Sequence, residues 1–292
     1  MPGAVDLHAH TTASDGTLTS RELVQEAGRR GLRVLAITDH DSTGGLADAL
    51  DEASRLTPLR IVPGLEINCD VAAAPGGRAS EVHVLGYCLD WRAEWFQDFL
   101  REQRAERVAR VHRLADRLAE LGMPIDPAEV FALVKEGAAG RPHVAQVMVR
   151  RGYVKSVREA FDRYLHAGGP ASVARRRLAP ADAVRVIRRA AGVPVLAHPG
   201  LADRDDLLPD LLAAGLMGIE CWYAEHSAQQ TAHYLELCRR WNLVPTGGSD
   251  FHGPQSGRPI TLGSLPLGMD VWERLRARAE SARAETAAEP GT

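Results

Sequence analysis

Short apolar runs alternate along the chain with longer stretches in which apolar residues return every three or four positions. Residues 4–7 read as a strand leading into His8. Thr19 and Glu22 stand at capping-box spacing, which predicts a helix ending near Gly31. Residues 34–37 predict a buried strand closed by Thr38-Asp39-His40, 45–56 a helix, 61–67 a strand interrupted by Pro63-Gly64, and 82–87 a further strand. After Asp90 the alternation stops. Leu100, Val108, Val111, Leu114, Leu118 and Leu121 recur at helical spacing and mark one long amphipathic helix up to Gly122. Shorter helical pieces run to Leu165, and Gly168-Gly169-Pro170 ends the excursion. Alternation then resumes: helix 180–191, strand 193–197, helix 205–214, strand 218–222, helix 227–241, strand 243–246, helix 271–284. About seven strands, most followed by a helix, predict an α/β protein with a parallel sheet or barrel. The helical stretch 95–175 reads as an insertion between barrel segments 1–94 and 176–292.

Composition narrows this picture. A chain of 292 residues with 45% apolar and 25% charged residues is an ordinary globular mixture, which excludes disorder and fibrous folds. No run approaches the ~20 uncharged apolar residues of a membrane span, and residues 1–6 show no secretory leader. Cys69, Cys88, Cys221 and Cys238 are scattered, as expected of a reduced cytoplasmic protein. Net charge is only −3, but it is unevenly spread. Residues 101–177 hold 16 Lys/Arg against 9 Asp/Glu, so a basic segment lies inside an acidic protein. Either one face meets an anion, or an arginine-rich helix surface is simply solvated.

The chemistry-bearing residues fall at strand ends. His8-Ala9-His10 follows the first strand and Asp15 comes five residues after His10. Asp39-His40-Asp41 closes the second, Glu66 ends the third, and His83 lies in the fourth. His198 follows the strand after the insertion and Asp250-Phe251-His252 the last. In parallel β/α architectures the C-terminal strand ends converge on one mouth. In an extended H-x-H both imidazoles face one side. Imidazole with carboxylate suits manganese, zinc or iron(II). His8, His10, Asp15, His40, Glu66, His83, His198, Asp250 and His252 are too many ligands for one ion and enough for two or three, with Glu66 bridging and Asp250 a second candidate bridge. Singly, each has a plainer reading: a strand-end histidine as a hydrogen-bonded core residue, Asp39 and Asp41 as helix caps. Three divalent ions against three carboxylates would leave a net positive pit, suited to phosphate and to water activated as hydroxide.

These residues resemble the PHP family (polymerase and histidinol phosphatase domain). The likeness rests on Asp6-Leu7-His8-Ala9-His10, Ile37-Thr38-Asp39-His40, Gly64-Leu65-Glu66-Ile67, Ala197-His198-Pro199 and Gly247-Gly248-Ser249-Asp250-Phe251-His252. It implies a distorted (β/α)7 barrel with a small helical insertion domain and a trinuclear centre, with manganese the favoured ion. His8, His10, Glu66 and Asp250 would hold the first metal, Asp15, His40 and His252 the second, and Glu66, His83 and His198 the third. The likeness extends to phosphoesterases that remove the 3′-phosphate of nucleoside 3′,5′-bisphosphates and to 5′-to-3′ exonucleases on short RNA. It is carried by Gly140-Arg141-Pro142-His143-Val144-Ala145, Gly218-Ile219-Glu220 and His226-Ser227. It implies that Arg141 and His143 grip substrate phosphate and that His226 contacts phosphate or protonates the leaving oxygen. Asp250, His226 and Arg141 would then be the catalytic set. Such relatives often carry a tyrosine where this chain has Ser172, and Arg175-Arg176-Arg177 nearby could bind phosphate or be solvated.

Two rivals remain at this stage. A C–N hydrolase of the amidohydrolase type usually centres on a carbamylated lysine, but Lys135 and Lys155 both lie in the insertion. A non-catalytic metal-binding module would tolerate lost ligands, whereas all nine positions are filled. A small phosphorylated substrate is expected, with neither a membrane nor an obligate protein partner.

Overall fold

The computed structural model describes residues 3–55, 58–71, 80–134, 139–166, 168–173, 178–256 and 258–288. Arg175-Arg176-Arg177 and Lys135 lie outside them. The elements in chain order are β1 (Val5–Asp6), α1 (Ser20–Arg29), β2 (Val34–Ile37), α2 (Leu46–Ala53), β3 (Arg60–Val71), β4 (Ser80–Tyr87), α3 (Glu94–Glu120), α4 (Pro127–Phe131), α5 (Arg141–Arg150) and α6 (Val157–Ala160), followed by a π-helical turn (Phe161–Leu165). Then come α7 (Pro180–Arg189), β5 (Val193–Leu196), α8 (Pro199–Ala202), a 3-10 turn (Asp205–Leu207), α9 (Leu208–Ala213), β6 (Gly218–Tyr223), α10 (Ala228–Arg240), β7 (Val244–Gly248) and α11 (Met269–Ala288). Among the described residues no helix is long and apolar enough to cross a membrane.

The seven strands lie side by side in sequence order. Hydrogen bonds between the ends of β1 and β7 nearly close them into a barrel: Leu7 N–H donates to Gly247 O at 3.2 Å, His10 N–H to Phe251 O at 2.9 Å and Asp250 N–H to His8 O at 2.8 Å. The buried Asp6 carboxylate reinforces this seam by accepting from the Ser249 and Gly263 amides. Backbones approach so closely here that a Cβ on Gly248 would stand 2.3 Å from the His8 Cβ, so only glycine fits.

The sheet is not all parallel. β1, β2 and β3 run together, as do β5, β6 and β7, but β4 opposes both neighbours. Only eight residues, 72–79, join β3 to β4, fewer than the dozen or more that a parallel crossover needs. β3 is also longer than its hydrophobic pattern and passes through Pro63. Residues 60–63 pair with β2 and 64–71 with β4, so the proline stands where the strand changes partners. The reversal of β4 brings its N-terminal part to the mouth, which is how His83 joins residues from C-terminal strand ends.

Local chemistry explains the helix starts. Thr19 and Glu22 form the expected capping box, and Ser227 with Gln230 forms another. Asp39 and Asp41 cap no helix, since α2 begins after Gly45. The long helix α3 serves two cores. Phe96 and Leu100 pack into the barrel cluster with Leu65, Ile67 and Ile187. Val111, Leu114 and Leu118 pack into a separate cluster drawn from residues 111–173. Between these cores Val108, expected on the buried stripe, is 40% exposed, and Arg107 takes the buried position instead.

Candidate metal centre

Loop geometry at the strand ends sets up the site. Asp39 is buried and accepts from the Thr11 amide at 2.7 Å, the Thr11 hydroxyl at 2.7 Å and the Ser14 hydroxyl at 2.6 Å, which fixes the loop after His10. Asp41, His198 and Asp250 all hold positive φ, a conformation costly for non-glycine residues and common where side chains are aimed at a function.

The structure brings all nine sequence-derived donors into one pit. His8 Nε2 lies 3.1 Å from His10 Nε2 and 3.3 Å from both Glu66 Oε2 and Asp250 Oδ1. His10 Nε2 lies 3.3 Å from Glu66 Oε2 and 3.1 Å from Asp250 Oδ1. Ligands about 2.1 Å from an ion stand ~3–4 Å from one another, so this spacing fits a coordinated cation. A second group joins His10, Asp15, His40 and His252, and a third His40, Glu66 and His83. His198 Nε2 stands 3.0 Å from Glu66 Oε1. Glu66 therefore divides its oxygens: Oε2 faces His8, His10 and His40, while Oε1 faces His83 at 2.7 Å and His198.

Orphaned atoms add to the fit. His40 Nδ1 and Asp15 Oδ1 are buried and make no hydrogen bond among the described residues. Glu66 Oε2 is nevertheless 3.1 Å from the first and His252 Nε2 3.3 Å from the second. These donors converge without pairing, which suits ligation. Elsewhere the outer ring nitrogen is tied down. His8 Nδ1–H donates to Glu220 at 3.0 Å and His252 Nδ1–H to the Asp250 carbonyl at 2.8 Å, which leaves each Nε2 lone pair for the pit.

Electrostatics point the same way. Burial opposes ionisation of Asp15, Glu66 and Asp250, yet surrounding imidazoles hold all three well below the usual carboxylate range. Burial likewise opposes charge on His10 and His83, but the carboxylates outweigh it and raise them to about 9 and about 10. At His40 burial prevails and lowers it to about 3. The pit thus favours positive charge.

The phosphate-contact candidates sit at its edge. His143 is buried at the start of α5 and accepts the Gly140 amide on Nδ1 at 3.1 Å, so Nε2 carries the proton. Arg141 pairs with Glu81, donates to the Leu165 carbonyl and lies over the Phe161 ring. Glu81 also pairs with Arg110 at 3.2 Å. Part of the basic charge of 101–177 therefore holds the helical segment against the barrel. His226 donates from Nδ1 to the Cys221 carbonyl and accepts the Gly200 amide on Nε2 at 3.1 Å. Neither ring nitrogen can hand over a proton without breaking a backbone contact.

Four participants escape a reading of strand ends. Glu220, fully buried in β6, joins His8 to the His198 amide; an acid inside an apolar strand was the available signal. Arg258 Nη1 and the Tyr223 hydroxyl both donate to Asp250 Oδ2, at 2.8 and 3.0 Å. Arg107 reaches the loop after His40. Nothing local in the sequence marks these last three.

The PHP domain pattern matches residues 6–173, and the chain belongs to the PHP family of metal-dependent phosphoesterases, as a hydrolase of phosphate esters. It is 35% identical over 85% of its length to 94% of the phosphoribosyl 1,2-cyclic phosphate 1,2-diphosphodiesterase of Eggerthella lenta. It is 34% identical to the 3′,5′-nucleoside bisphosphate phosphatase of Chromobacterium violaceum, over 94% of this chain and 97% of that one. With the 5′-3′ exoribonuclease Rnm of Salmonella typhimurium the identity is 32%, over 92% of each chain. Among solved structures it resembles a metal-dependent phosphoesterase from Bifidobacterium adolescentis, with TM-score 0.83 and 32% identity over 95% and 98% of the two chains. It also resembles an amidohydrolase from Chromobacterium violaceum with bound sulfate and no metal, with TM-score 0.80 and 31% identity over 94% and 97%.

Proposed function

We propose that this chain removes the 3′-phosphate of nucleoside 3′,5′-bisphosphates, with His8, His10, Asp15, His40, Glu66, His83, His198, Asp250 and His252 holding two to three ions, manganese by preference. The observation that carries this reading is the 3.1–3.3 Å cage formed by His8, His10, Glu66 and Asp250. Bound divalent ions would supply Lewis-acid charge for the phosphate oxygens and an activated water. The protein's part is to hold and orient. The helical insertion, through Arg141 and His143, would act as the substrate-contacting domain. Arg141, leaving Glu81, and the His143 Nε2–H would hold phosphate. Asp250 keeps one oxygen inward because Arg258 and Tyr223 occupy the other. The bound sulfate named for the Chromobacterium violaceum structure fits an anion-binding pit of this kind. Four free cysteines, including Cys221 and Cys238 with sulfurs 3.6 Å apart and unbonded, fit a reducing cytoplasm.

The second reading is a 5′-to-3′ exonuclease on short oligonucleotides, the activity named for the Rnm relative. Tracking along a strand calls for aromatic stacking platforms. The basic segment 101–177 carries few aromatic residues, which favours the small substrate. Assays with manganese should show higher kcat/KM on adenosine 3′,5′-bisphosphate than on a short 5′-phosphorylated oligonucleotide. The reverse order would establish the second reading, and turnover of neither would overturn both.

A further inference from the structure

We propose that Arg107 is a positioning residue which, from the middle of α3, sets the placement of His40 by clamping Asp41 and Asn68. The inference rests on the metal-centre reading and adds a residue outside the ligand set.

Arg107 is 8% exposed and lies where α3 passes from the barrel core to the helical core. Its guanidinium makes two short contacts on the barrel. Nε donates to Asp41 Oδ2 at 2.6 Å, and Nη2 donates to Asn68 Oδ1 at 2.6 Å. Asp41 is the fully buried neighbour of His40 and holds a φ of 48°, while its amide donates to the Glu66 carbonyl at 2.9 Å. Its other carboxylate oxygen accepts the Asn68 amide at 3.3 Å. Asn68 pairs with His83 across the β3–β4 ladder, and its side-chain amide lies 3.0 Å from His83 Nε2. A guanidinium can only donate, so the Asp41 carboxylate and the Asn68 side-chain oxygen are both drawn to it, and the Asn68 backbone amide closes the group by donating to Asp41. One planar fork thereby fixes the backbone beside His40 through residues of two strands' ends. Lysine, with a single ammonium, could satisfy Asp41 but not both partners in this geometry.

The test is a manganese titration by calorimetry on the full chain, with circular dichroism as the folding check. Partners that orient ligands are worth about 10–100-fold in metal affinity. Arg107→Met should weaken uptake by that factor at part of the sites. Turnover should recover toward the wild-type kcat at high manganese, and Arg107→Lys should fall between. Because Arg107→Met strands the Asp41 charge, the neutral pair Arg107→Met/Asp41→Asn is titrated beside it. Manganese uptake equal to wild type in either folded variant would overturn the inference. Loss of folding in both would also overturn it, by making Arg107 a support of the fold alone. If the unaltered chain took up no manganese, the metal-centre reading itself would fail, which the wild-type control separates from the other outcomes.

Discussion

Replacing Glu66 by glutamine should cost about 10³-fold or more in turnover while the chain still folds. Glu66 is fully buried, and its two oxygens stand 2.7–3.3 Å from His8, His10, His40, His83 and His198. Glutamine preserves volume, so packing around the residue survives. It replaces one oxygen with an NH2, which cannot accept, on whichever side it lies. Either the group around His8 and His10 or the group around His83 and His198 then loses its shared ligand. Metal stabilisation of transition-state charge is worth several kcal/mol, and ~4 kcal/mol corresponds to about 10³ in rate. Steady-state kinetics at saturating manganese, with circular dichroism on the same protein, would check this. Wild-type turnover in a folded Glu66→Gln protein would remove Glu66 from the centre.

Asp250→Asn should lose activity on a similar scale, for a directional reason. Arg258 and Tyr223 both donate to Asp250 Oδ2. In asparagine the remaining oxygen would turn toward those donors, which directs the NH2 at His8 and His10, where a ligand must accept. His40→Ala should also lose turnover by about 10³-fold, because it removes a ring whose Nδ1 lies 3.1 Å from Glu66 and whose Nε2 lies 3.8 Å from Asp15. If either variant kept wild-type phosphatase turnover with folding intact, the assignment of these residues would be wrong.

Much of the site was legible because its residues violate the patterns around them. His8, His10, His40, His198, Asp250 and His252 end apolar runs, and polar groups at strand ends are where a barrel places its chemistry. The seven strands were visible for the same reason, as were the capped starts of α1 and α10. The reversal of β4 was not. Apolar periodicity carries no strand direction, and the short connection between β3 and β4 was the available cue. The destination of the arginines was equally hidden. Charge counting sees a basic segment, but pairing Arg107 with Asp41, or Arg110 and Arg141 with Glu81, depends on how α3 and α5 lie across the barrel. Val108 shows the same limit. A helix that crosses from one core to another need not bury a single continuous stripe, and the polar Arg107 is drawn inward by a buried carboxylate.

The most direct test is elemental analysis of the purified chain after loading with manganese and removal of excess ion. The gathering of nine donors from six strands and their loops predicts two to three ions per chain. A chain that retains none would contradict it.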